Sequence, residues 1–102
     1  MIKVEVNKNI IKISGHAGFN TYGKDIVCAS VSSIVYTTVN GILNISNNAI
    51  EYEDNKEFII EVLESDEITN KLISNMICLL EELERQYPKN IKISKGEWTC
   101  YF

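Results

Sequence analysis

The stretch GHAGFNTYGKDIVCASVSS, residues 15–33, decides how the chain is organised, because the hydrophobic period changes across it. Upstream, Ile2, Val4 and Val6 alternate with Lys3 and Glu5, the period of a half-buried strand. Asn7-Lys8-Asn9 reads as a turn, and Ile11 and Ile13 alternate with Lys12 and Ser14, which gives a hairpin ending at Gly15-His16. Downstream of Asp25, the residues Val27, Val31, Ile34, Val35, Thr38, Val39, Ile42 and Ile45 fall at helical spacing. Gly41 and the polar cluster Asn44 to Asn48 mark the far end of that helix. Val, Ile and Thr are mediocre helix formers, so this helix depends on burial. Between strand end and helix start lie Gly18, Phe19, Asn20, Thr21, Tyr22, Gly23 and Lys24, a segment with little to bury and expected to be mobile.

The second half repeats the strand logic. Ile50 and Tyr52 alternate with Glu51 and Glu53, Asp54-Asn55-Lys56 turns, and Phe58, Ile60 and Val62 alternate with Glu57 and Glu61. Ser65 reads as an N-cap, with Asp66 and Glu67 suited to the positive end of a helix. Ile68, Leu72, Met76, Leu79, Leu80, Leu83 and Tyr87 then form an amphipathic helix stopped by Pro88. A strand follows at Ile91 to Ser94, with another possible at Trp98 to Phe102. The expected order is β-β-α-β-β-α-β over residues 1–102, a single α+β domain without repeats or linkers.

Size and composition narrow the function classes. A chain of 102 residues can bury a core without staples, and its 45% hydrophobic and 24% charged content is ordinary for a globular domain. No signal-peptide pattern opens the sequence and no apolar run looks membrane-spanning, so a cytoplasmic location away from membranes is expected. Cys28, Cys78 and Cys100 are odd in number and far apart, which reads as reduced thiols rather than a disulfide framework. No closely spaced cysteine pair seeds a zinc site, so neither metal nor cofactor is expected. A net charge of −4 with scattered basic residues argues against direct nucleic-acid binding.

His16 is the only histidine, and Cys28 follows twelve positions later at a helix start. A thiolate is favoured by the unpaired N–H groups of a first helical turn and by a neighbouring imidazolium. His16 would then protonate a departing amine, and backbone N–H groups around Cys28 would receive a developing oxyanion. The eleven intervening residues can span more than about 30 Å, ample to fold back and bring the two together. Spacing alone also fits a bland reading, with Cys28 a small core hydrophobe and His16 a loop histidine bonded to backbone. Asp25 reads either as the helix N-cap or as a third member that orients His16. Gly15 supplies a backbone conformation closed to other residues, or room for a substrate strand to approach. Ser32 lies one turn beyond Cys28 on the same face. Cys78, Cys100 and the aromatic tail read as packing positions, and Glu81, Glu82 and Glu84 as a solvated helix face.

At two places, GHA at residues 15–17 and GKDIVCASVS at residues 23–32, the sequence resembles the ribosomal-processing cysteine protease family called Prp, also described as YsxB-like. The element order fits as well, so the resemblance spans essentially the whole chain. It implies a cysteine endopeptidase that removes the short N-terminal extension of large-subunit ribosomal protein L-twenty-seven, cutting after a hydrophobic, Phe-rich stretch and before a small residue. It also implies a homodimer with two helices packed between antiparallel sheets. The family's catalytic histidine and cysteine fall on His16 and Cys28, and its supporting positions on Gly15, Asp25 and Ser32. Its flexible flap corresponds to residues 18–24. Ser30 departs from the alanine common in the family, a small change. Two other classes compete with this reading: a non-catalytic ribosome-associated binding module, and a thiol redox sensor, which needs a resolving cysteine near Cys28.

Overall fold

A computed structural model describes residues 1–15, 26–64 and 66–96. Its elements follow in the order β1 (Ile2–Asn7), β2 (Ile10–Ser14), α1 (Ile26–Ile45), β3 (Ile50–Asp54), β4 (Phe58–Val62), α2 (Glu67–Gln86) and β5 (Ile91–Lys95). This is the α+β order that the alternating and helical periods predict. The further strand expected at residues 98–102 lies outside the described residues.

Both hairpins form where the sequence places them. β1 pairs antiparallel with β2, putting Val4 opposite Ile13 and Val6 opposite Ile11. Lys8 takes a φ of 57° in the turn between them. Asn9 fixes that turn to the neighbouring hairpin. Its side-chain amide donates to the Val62 carbonyl at 3.1 Å, and its carbonyl accepts from the Val62 N–H at 2.8 Å. β3 pairs antiparallel with β4, and β4 with β2, so the sheet runs β3-β4-β2-β1-β5.

The sheet corrects one expectation. In this chain the described residues form one five-stranded sheet that is mixed rather than wholly antiparallel, because β5 joins it parallel to β1. Direction is set by the connections: α1 and α2 each carry the chain across a sheet face, so β3 enters parallel to β2, and β5 parallel to β4. The Ile2 N–H donates to Asn90 O at 2.9 Å, and the Gly96 N–H to Val6 O at 2.6 Å, which fixes β5 at both ends.

One core holds both helices. Ile2, Val4, Val6, Ile11, Ile13, Phe58, Ile60, Val62 and Ile91 are buried on one face of the sheet, while Lys3, Glu5, Asn7, Glu51, Glu53 and Lys92 on the other are exposed. Against the buried face pack Val27, Val31, Val35, Val39 and Ile42 of α1, and Ile73, Met76, Ile77, Leu80 and Leu83 of α2. Burial of the valine stripe offsets the poor helix propensity of its residues. α1 carries no charged residue over its 20 positions, so by length and composition it could cross a membrane, contrary to the expectation from the sequence. Here its valine stripe is buried in the core instead.

Several side chains are placed differently from their predicted positions. Gly41 lies inside α1 with open space around it, and Ile45, at the helix end, is exposed. On α2, Ile68 and Leu79 face out, and Ile73 and Ile77 take the core positions. Ser65 lies outside the described residues, and the N-cap is Asp66, whose Oδ1 accepts from the Thr69 N–H at 2.8 Å and Oδ2 from the Thr69 hydroxyl at 2.9 Å. These bonds stabilise the charged carboxylate, and they hold its pKa below the ordinary value of 3.8. Cys78 is exposed, because it falls with Lys71, Asn75 and Glu82 on the outer face of α2. Two residues of the acidic run do more than meet solvent. Glu81 pairs with Lys95 at 2.9 Å, and Glu84 accepts from the Ile93 N–H at 2.9 Å, so both dock β5 against α2.

Candidate active site

The site is built where β2 ends and α1 begins. Gly15 directly follows β2 and has a φ of +85°, the left-handed region that disfavours residues with a Cβ. A Cβ there would collide with the Met1 carbonyl oxygen, so glycine is required on two counts. That close approach is made by the Met1 backbone. Gly15 thus fixes the direction in which the chain leaves the sheet towards position 16. His16, residues 18–24 and Asp25 lie outside the described residues.

Cys28 is the third residue of α1. It is half-buried and packs against the edge of the core. The N–H groups of a first helical turn have no acceptor within their own helix, so this turn presents donors to negative charge. Ser30 beside it donates its hydroxyl to Ile26 O at 2.7 Å, which makes it a helix-internal residue rather than a site group. Ser32, one turn on from Cys28, is exposed.

A cavity of about 170 Å³ joins these parts. Ser14 and Gly15 form one side of it, and Val31, Ser32 and Val35 of α1 another. The residue just before His16 and the helix face just after Cys28 therefore share one recess. The third side was not legible in the sequence: Asp54, Asn55 and Lys56 of the β3–β4 turn, with Phe58 and Tyr36. The available signal is the four-residue repeat of Cys28, Ser32 and Tyr36 along α1, which places them along one side of the helix.

Tyr36 is held in this wall by two kinds of contact. Its ring meets Phe58 edge-on, at 5.2 Å between centroids and an interplanar angle of 79°, and Phe58 in turn stacks on Tyr52 at 5.7 Å. Its hydroxyl donates to the Asp54 carboxylate. That bond, followed by partial burial and the nearby negative charge, keeps the phenol protonated above its ordinary pKa of 10.0. Among the described residues no cluster of His, Cys, Asp and Glu has the arrangement of a metal site.

The family described as cysteine protease Prp matches residues 1–92. The ribosomal processing cysteine protease Prp of Staphylococcus aureus is 31% identical over 104 aligned residues, covering 92% of this chain and 98% of its own. That of Bacillus subtilis is 34% identical over 91 residues, covering 81% of each. Among solved structures, the fold superposes on the essential ribosomal processing protease Prp of S. aureus with a covalently linked product peptide. The TM-score there is 0.85 at 25% identity, over 94% of this chain and all of that one (100%). A Streptococcus mutans protein shares the fold with a TM-score of 0.82 at 22% identity, over 93% of each chain. With a family match over residues 1–92, and relatives above 30% identity aligned over most of both chains, the chain belongs to the cysteine protease Prp family of ribosomal-processing proteases.

Proposed function

We propose that this chain is a cysteine-type endopeptidase of ribosome maturation, with Cys28 as nucleophile and His16 as its acid–base partner. The observation that carries the reading is the single cavity shared by Gly15, next to His16, and the helix face that follows Cys28. The Cys28 thiolate adds to the scissile carbonyl, and N–H groups of the first turn of α1 receive the oxyanion. Collapse breaks the C–N bond as His16 delivers its proton to the leaving amine, which leaves a thioester. Water then attacks the thioester, giving its proton to His16, and the carboxylic acid departs as the thiolate is restored.

The substrate we assign is the N-terminal extension of large-subunit ribosomal protein L-twenty-seven, cut by a cytoplasmic homodimer that needs no cofactor. Family membership supports this assignment, as does the S. aureus relative, whose structures hold a substrate peptide and a covalently linked product peptide. Asp25 and Ser32 act in support, Asp25 by capping α1 or orienting His16, and residues 18–24 cover the bound peptide. The test is mass spectrometry of a synthetic peptide spanning that extension, incubated under reducing conditions with wild type and with Cys28→Ala. One cut before the small residue, lost in the variant, is expected. An intact peptide and an intact substrate protein with wild type would favour the non-catalytic binding module.

A further inference from the structure

We propose that Tyr36 and Asp54 are positioning residues for peptide binding: their hydrogen bond fastens the β3–β4 turn to α1 and so fixes the width of the cavity that lies one helical turn beyond Cys28. The inference rests on the peptidase reading above and deepens it. The floor of the cavity comes from Ile13, Val31 and Val35, all buried in the core and unable to move independently. The opposite wall is the turn Asp54 to Lys56, whose residues are all exposed. Its ladder bonds end at Asp54 paired with Phe58. The Asn55 N–H donates to Glu57 O at 3.2 Å, so this bond holds the turn to itself and not to the helix. Across the cavity, the Tyr36 hydroxyl donates to Asp54 and ties the turn to the helix.

The tie contributes little to overall stability and is well placed to set a geometry. A hydrogen bond between exposed groups stabilises a fold weakly, because water competes for both partners. Tyr36 nevertheless has few alternatives. Its ring is seated edge-on against Phe58, which is itself stacked on Tyr52, so the hydroxyl is aimed at the turn before any peptide arrives. Wall and floor are then preorganised for a substrate side chain flanking the scissile bond, which lowers the cost of ordering them on binding. Loss of the tie would leave Cys28 and Gly15 in place and loosen only the wall. The chemical step would be preserved and peptide affinity reduced.

The experiment compares wild type, Tyr36→Phe, Asp54→Ala and the double variant on a synthetic peptide spanning the ribosomal extension. Tyr36→Phe keeps the ring contact with Phe58 and removes only the donor. The expected result is a KM raised about tenfold with kcat within about twofold, in both single variants and to the same extent in the double, since one bond is lost in each. Unchanged KM in Tyr36→Phe, with wild type cleaving normally, overturns the latch and leaves the peptidase reading intact. Binding of the fluorescein-labelled peptide by Cys28→Ala, and by Cys28→Ala with Tyr36→Phe, separates the two readings where wild type fails to cleave. About tenfold weaker binding by the pair supports the latch on a binding module, and equal binding overturns it. A variant that lowers Tm without moving KM or Kd marks a merely structural bond and also overturns the latch.

Discussion

The carbonyl oxygen of Met1 stands where a side chain on Gly15 would have to begin, and Gly15 itself is held at a φ of +85°. The Met1 backbone therefore packs against Gly15 at the end of β2. A residue with a Cβ at this φ costs about 1–3 kcal/mol, before any displacement of Met1 is counted. Gly15→Ala is expected to lower Tm by on the order of 10 °C in a domain of this size. Calorimetry of the variant checks this, and a Tm within about 2 °C of wild type would show that the β2 end relaxes freely.

The two described cysteines allow an internal control on reactivity. Cys78 is exposed on the outer face of α2, whereas Cys28 is half-buried at the start of α1. Simple access would favour Cys78. A nucleophile activated for peptide attack reverses that order, because the thiolate is the reactive form. An iodoacetamide time course at neutral pH, read by peptide mapping, is expected to label Cys28 first. Faster labelling of Cys78 would mean that Cys28 behaves as a packed core thiol.

What the sequence reveals follows from which interactions are local. The two hairpins and both helices are legible because alternation and the 3.6-residue period are encoded within a few positions, as with Val4 and Val6 or Val31 and Val35. Strand direction is not local. Nothing in Ile91 to Lys95 says that it will lie parallel to β1, since the crossover through α2 decides it. The same holds for Cys78, which sits in an apolar run yet faces solvent because Ile77 and Leu80 take the core positions. At the site, Gly15 and Cys28 can be picked out by residue type. The wall formed by Tyr36, Asp54 and Lys56 cannot, because it exists only once β3 and β4 fold back beside α1.

The Asp66 cap carries a pH dependence of known sign. Bonds from the Thr69 N–H and then from its hydroxyl hold the folded-state pKa below 3.8. A carboxyl lowered on folding binds fewer protons in the native state than in the unfolded one. Its contribution is therefore full above the unfolded pKa and fades as pH falls through the folded value. Asp66→Ala is expected to cost about 1 kcal/mol at neutral pH. Urea titrations of both proteins should show this gap narrowing as pH drops below about 4. A gap that stays constant down to pH 2 would place the effect in helix propensity rather than in the charged cap.

Across the outer hairpin, Glu51 stands directly opposite Glu61, and Glu53 follows on the same face. Among the described residues the ion pairs are Lys71 with Glu67 and Lys95 with Glu81, so neither member of this facing pair is neutralised by one. Like charges directly opposite on a sheet destabilise it by about 0.2–1 kcal/mol. Glu61→Lys converts repulsion into attraction and is expected to raise Tm by a few degrees at low salt. Glu61→Gln, which only removes the repulsion, should give about half that rise. Both gains should shrink in about 1 M salt, where screening falls within roughly 3 Å. If the lysine variant instead gains nothing while glutamine does, the lysine stem does not fit beside Ile10 on β2, which pairs with residue 61 on its other side. Packing, not charge, would then govern this face of the sheet.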